Sequence, residues 1–131
     1  MKLLKSFIAG IVVPSIILPI LILLAVYLGK SQILTIPFLH FIPVVWGLWN
    51  MLYFTVLKNI LPENQDMRLL ITGAILGFLV ASFGTFYLDV PHLVGLPDQI
   101  YYLPLIAGPI LYAILWRFLV KDLNHILYLK D

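Results

Sequence analysis

Hydrophobic positions in this chain come in long blocks rather than in alternation. Four stretches run with almost no charge: Ser6–Gly29, Ile33–Leu57, Leu69–Leu88 and about Ile100–Val120. Each reaches the roughly 20 residues a helix needs to cross a hydrocarbon core about 30 Å thick. The period-two alternation of a membrane barrel strand is missing, so helices are the expected spans. Only the short connectors "KSQ", "KNILPENQDMR" and "DVPHLVGLPDQ" separate them. The pattern therefore predicts an all-α fold, an integral membrane bundle of four transmembrane helices, as one domain over residues 1–131. The start, "MKLLKSFIAGIVV", resembles the opening of a signal peptide. Its apolar run continues to Leu28 without a small-residue cleavage site, so it reads as a retained span.

The last segment changes character. In "RFLVKDLNHILYLKD", Leu119, Leu123, Ile126 and Leu127 recur at helical spacing, with Lys121, Asp122, Asn124 and His125 between them. Residues 117–131 are expected to form a short amphipathic extension of the fourth helix, lying along the membrane surface.

Composition sharpens the picture. Hydrophobic residues make up 63% and charged residues 11%, against about 25% charged in soluble domains. Mean hydropathy is +1.08. There is no cysteine, which removes disulfides, thiol catalysis and thiolate metal sites. A net charge of +2 is too small to point to nucleic acid. The placement of the charges says more. Lys2, Lys5, Lys58, Arg68, Arg117, Lys121 and Lys130 fall on one side of the predicted spans, and only Lys30 on the other. The positive-inside rule then puts both termini in the cytoplasm, as an even number of crossings also requires. A bacterial cytoplasmic (inner) membrane is the expected location. Tyr27, Tyr87, Tyr101 and Tyr102 read as anchors at the outer interface, and Trp116 as one at the inner.

Six prolines lie within the predicted spans, as the pairs Pro14 and Pro19, Pro37 and Pro43, and Pro104 and Pro109. Interior prolines remove a helical hydrogen bond and press on the carbonyl four residues back. They are tolerated in membrane helices as kinks. Pro104 fits the first turn of its helix, where the missing N–H costs nothing. In the third span Gly73, Gly77, Ala81 and Thr85 recur every four residues, a small-residue stripe suited to close helix packing. Pro43, Trp46, Gly47, Asn50, Tyr53 and Phe54 share one side of the second span, with Trp49 pointing away. Trp46 near mid-membrane is expected to be buried against protein, and the second helix is the expected occupant of the glycine groove.

Candidate chemistry is sparse. No Asp, Glu, Lys or Arg lies centrally in any span, whereas ion-coupled transport generally uses an intramembrane ionisable group. Asn50, with Trp46 and Tyr53 beside it, forms a candidate ligand or pore contact, set against the commoner role of a buried amide as interhelical glue. His40, Asp89, His92 and Asp98 gather on the outer side as a weak metal candidate without motif spacing; Asp98 alternatively suits the N-cap of the fourth helix. The apolar residues of "DVPHLVGLPDQIYY" predict a connector packed on the bundle, as a compact loop or as a lid. Nucleophile–base pairs, paired carboxylates and phosphate loops do not occur. The expected function is non-enzymatic and cofactor-free: an accessory, assembly or interaction subunit docking on another membrane protein or on a second copy within the lipid bilayer. The alternative is a small oligomeric channel or an uncoupled carrier for a neutral or apolar solute.

Overall fold

The computed structural model describes residues 1–130, and no strand occurs among them. Four helices are long and apolar enough to cross a membrane: α1 (Lys2–Tyr27), α2 (Pro37–Ile60), α3 (Gln65–Tyr87) and α4 (Pro104–Ile126). The all-α bundle of four such helices is thus the observed architecture. The helix ends differ from the sequence expectation, and each difference has a local cause.

α1 starts at Lys2, since nothing in "KLLK" breaks a helix. It stops in a paired-carbonyl cap: Gly29 takes φ +74, its N–H donates to Val26 O, and the Lys30 N–H donates to Ala25 O. Only glycine adopts that backbone at little cost, so "LGK" ends the helix. Ile33–Thr35, expected to open the second span, instead belongs to a separate 3₁₀ turn, Ser31–Thr35. Pro37 explains this. A residue before proline is pushed out of the helical region, and Ile36 is extended at φ −89, ψ 103. Pro37 itself opens α2, so it is a helix start and not half of an interior pair. Pro104 opens α4, as expected, although Leu103 before it is helical at φ −52, ψ −40. The interior prolines are Pro14, Pro19, Pro43 and Pro109.

α3 is capped by Asn64, whose side chain accepts the Met67 N–H at 3.0 Å, with Asp66 in the first turn where a negative charge faces the positive helix end. Asp98 is not the N-cap of α4. It lies in a 3₁₀ turn, Asp98–Ile100, that follows Pro97. In the tail, residues 117–126 continue α4 as one helix, and Asn124 and Leu129 are buried. Asp131, the last residue of the expected amphipathic segment, lies outside the described residues.

Packing divides the bundle into two hairpins, α1–α2 and α3–α4, each closed along glycines. A Cβ on Gly10 would lie 2.6 Å from Trp46 O and 2.8 Å from Gly47 Cα, and one on Gly47 would meet the Phe7 ring at 2.6 Å. In the second hairpin, a Cβ on Gly73 or Gly77 would strike the carbonyl of Tyr112 or Gly108, and one on Gly108 would lie 2.9 Å from Ala81 Cβ. The groove of Gly73, Gly77 and Ala81 is therefore filled by α4. The expected occupant, α2, is not there. Gly108 brings the α4 backbone close enough to enter this groove, while the Trp46–Gly47 backbone of α2 packs on Gly10 of α1 instead. Short strings recur in the two hairpins, Ile8-Ala9-Gly10 with Ile71-Thr72-Gly73 and Pro43-x-x-x-Gly47 with Pro104-x-x-x-Gly108. The contacts differ: Gly10 meets Gly47, whereas Gly73 meets Tyr112 and Gly108 meets Gly77 and Ala81.

Wide, π-type turns interrupt three helices, at Tyr53–Leu57, Phe83–Tyr87 and Trp116–Val120. Such turns strip carbonyls of their usual helical partners. Side chains replace two of those bonds: Thr55 Oγ1 donates to Met51 O at 3.0 Å, and Tyr101 OH donates to Thr85 O at 2.9 Å.

Candidate functional site

The hairpins meet most closely in the half of the bundle that carries both chain termini. Asn50 on α2 is fully buried there. Its Nδ2 donates to Ser6 O on α1 at 2.7 Å and to Asn124 Oδ1 on α4 at 2.8 Å, and Asn124 Nδ2 donates back to Asn50 Oδ1 at 3.3 Å. One amide pair thus ties three helices. An unpaired amide in an apolar interior costs about 1–3 kcal/mol, so the partners fix the relative depth of the helices as well as their contact. Asn124 was read as a polar residue of the surface tail; the extension of α4 by its wide turn is what carries it inward.

Above this amide pair sits an aromatic layer. Trp46, 2% exposed, packs with ring centroids 4.9 Å from Tyr112 and 5.0 Å from Trp116, both on α4. Burial of Trp46 against protein is as expected, with α4 as the partner. Trp116 is fully buried and is not an interface anchor. Trp49 does not point away. Its indole N–H donates to Thr72 O on α3 at 3.0 Å, a bridge between the hairpins. Thr72 in turn spends its hydroxyl on Arg68 O at 2.7 Å. Tyr53, fully buried, accepts from Arg68 Nε at 3.2 Å. The three residues singled out as ligand or pore contacts, Trp46, Asn50 and Tyr53, are therefore packed against or bonded to other helices of the same chain.

At the rim of this end, Asp66 accepts from Arg117 at 2.7 Å and from Lys121 at 2.9 Å, joining α3 to α4. These side chains are partly exposed, so the ion pairs are sensitive to salt.

The opposite end holds a second polar group. His92 Nδ1 lies 2.9 Å from an Asp89 carboxylate oxygen and Nε2 lies 3.3 Å from Asp98 Oδ1. Tyr101 OH donates to Asp89 Oδ1 at 2.8 Å and holds Thr85 O as well. The bonds to Asp89 and Asp98 push the His92 pKa above its usual 6.5. Bonds from Tyr101 and His92 hold Asp89 below 3.8. His40 stands apart, its Nε2 3.1 Å from Leu34 O. Among the described residues, no three His, Asp or Glu side chains are grouped to hold a metal ion. What the arrangement does is fasten the connector: His92 belongs to a short helical turn, Val90–Leu93, whose Pro91 is buried, as the compact-loop reading expected.

Away from the termini the hairpins part, leaving two crevices. One, of about 200 Å³, lies between α2 and α3 beneath the connector, bounded by Ile36, Leu39, Ile42, Val80, Gly84 and Pro91. Thr85 also borders it, but its hydroxyl is buried and the crevice wall presents no polar atom. The other, of about 120 Å³, lies between α1, α2 and α4, against Pro14, Ile17, Trp46 and Tyr112. Neither offers the hydrophilic lining that water or an ion needs.

Sequence reasoning found Asn50 and the α3 stripe but missed Asn124, Gly10, Gly47 and Gly108 as packing residues. The signal for the glycines was present in the repeated Ile-x-Gly and Pro-x-x-x-Gly strings. No protein-family model, curated protein or solved structure matches this chain.

Proposed function

We propose that this chain is a multi-pass protein of a bacterial cytoplasmic membrane, with both termini inside, acting as a non-enzymatic accessory or interaction subunit for another membrane protein or a second copy. The carrying observation is how the polar groups of the helices are used. Asn50 bonds Ser6 O and Asn124, Trp49 bonds Thr72, and Tyr53 bonds Arg68. These polar groups are committed to holding helices together, and the two crevices away from the termini are apolar. Meanwhile the second half of α1 presents Ile16, Ile20, Leu23 and Leu24, each at least half exposed. These have the lipid bilayer or a partner helix as their neighbour. The orientation is supported by the positive-inside rule, since Lys2, Lys5, Lys58, Arg68, Arg117 and Lys121 all belong to the end with the termini.

Two experiments test this reading. The chain lacks cysteine, so single cysteines at Ser31 and Glu63 report sidedness cleanly. Only Ser31→Cys should react with an impermeant maleimide from outside; labelling of Glu63→Cys alone would invert the topology. A photoreactive residue at Ile20 or Leu24 should give one discrete protein adduct in source-cell membranes. Lipid adducts alone, matching those from Ile106 and Ile110 on α4, would count against a docked partner.

The crevice beneath the connector favours one second reading, an uncoupled carrier of an apolar solute. Flux of such a solute in proteoliposomes, abolished when Gly84→Leu fills the crevice, would establish it over the accessory role.

A further inference from the structure

At the end that carries the termini, several cations have polar partners. Arg117 and Lys121 share Asp66. Arg68 donates to Tyr53 OH and to Pro62 O. Lys2 and Lys58 are different. They come from α1 and α2, at opposite ends of their helices, and converge on a single ring: Lys2 Nζ lies 5.4 Å and Lys58 Nζ 5.8 Å from the centroid of Phe54. Among the described residues neither has a carboxylate within ion-pair distance. Phe54 is 5% exposed and fixed edge-on against Tyr53, so the ring is an immobile floor. Its quadrupole attracts each ammonium but cannot neutralise two. Two like charges gathered over one apolar floor, at the margin of a hydrocarbon layer, call for a shared counter-anion.

The depth of the site selects that anion. Lys2 opens α1 and Lys58 stands near the close of α2, so both ammonium groups sit where spans meet headgroups. Flexible lysine stems reach into that layer while their methylenes stay on apolar surface. A phosphodiester there is already held at the right height by its own acyl chains, whereas free phosphate must be concentrated from water. Acyl chains also have a place to lie, along the exposed Leu3, Leu4 and Ile8 of α1.

We propose that Lys2 and Lys58, across the Phe54 ring, form a discrete binding site for the phosphate of an anionic phospholipid. This rests on the membrane reading of the helices but not on the accessory role, so failure of one leaves the other standing.

The test is native mass spectrometry of the full chain released from mild detergent, with phosphatidylglycerol, phosphatidylcholine of the same acyl chains, or inorganic phosphate added. The site predicts retention of one phosphatidylglycerol per chain in preference to phosphatidylcholine. Lys2→Gln with Lys58→Gln should weaken this by about thirtyfold, the combined attraction of two lysines to an anionic headgroup layer. Lys2→Arg with Lys58→Arg should retain it. Lys5→Gln with Lys130→Gln removes equal charge without touching the pair at Phe54 and should weaken it several-fold less, because in detergent no continuous anionic surface is present to attract other lysines. Equal losses from the two glutamine pairs would overturn the proposal, and so would equal retention of the two lipids. Displacement by millimolar inorganic phosphate would overturn the lipid as the ligand.

Discussion

Gly77→Ala tests the seam of the second hairpin with a single methyl group. The added Cβ would overlap the Gly108 carbonyl and lie 2.8 Å from Tyr112 Cβ. The obstacle is mostly backbone, so no rotamer change relieves it; α3 and α4 must move apart. Overpacking costs about 1–3 kcal/mol, and a rigid obstacle argues for the upper part of that range. Alanine favours a helix by up to about 1 kcal/mol over glycine, although in detergent the unfolded state stays largely helical and that gain shrinks. The balance is a loss of about 2 kcal/mol. Gly84→Ala is the control, because its Cβ would meet nothing nearer than Val90 Cγ2 at 3.8 Å, an ordinary contact. Reversible unfolding in mixed micelles should therefore show Gly77→Ala well below the parent and Gly84→Ala at or slightly above it. Equal stability of Gly77→Ala and the parent would refute the α3–α4 seam.

The connector between α3 and α4 should depend on pH, with a defined sign. His92 has a raised pKa, so its contribution is complete below 6.5 and is lost as pH rises through the folded value; Asp89 has a lowered pKa, so its contribution is complete above 3.8 and is lost as pH falls through its folded value. Amide protection over Val90–Gly95, after correction for base-catalysed intrinsic exchange, should be highest between those limits and fall above them, a fall that His92→Gln should flatten. Asp66→Asn should lower the melting temperature at low ionic strength, because Arg117 and Lys121 then face each other without a carboxylate. In about 1 M salt, where the screening length is near 3 Å, the difference should largely vanish.

The helical class was legible because long apolar blocks leave only one way to satisfy the backbone in a membrane. Helix starts were less legible than the Gly29 stop of α1, since they turned on single residues, as with Pro37 expelling Ile36 from the helix. The glycine groove on α3 was visible as a stripe, yet a stripe names no partner. Identifying α4 required noticing that Gly108 sits in a Pro-x-x-x-Gly string like that of Gly47. Of the candidate site, Asn50 stood out because amides are rare so deep in a span. Asn124 did not, because among Lys121, Asp122 and His125 it looked like one more surface group. Only the continuation of α4 through Trp116–Val120 brings it to Asn50. The outer His and Asp residues split for a similar reason. His92 meets Asp89 and Asp98 through the fold of the connector, while His40 stays with the turn before α2.

Stability of the Asn50–Asn124 pair is the most direct check on the claim that the polar groups of the helices hold the bundle instead of serving a cargo. The measurement is a double-mutant cycle in detergent with Asn50→Leu, Asn124→Leu and both together. Each single change leaves one buried amide without its partner, a loss of about 2 kcal/mol, and the double change should cost little more than either, a coupling of roughly 1–2 kcal/mol. Strictly additive losses, or single variants as stable as the parent, would contradict the account and return Asn50 to the status of a free binding group.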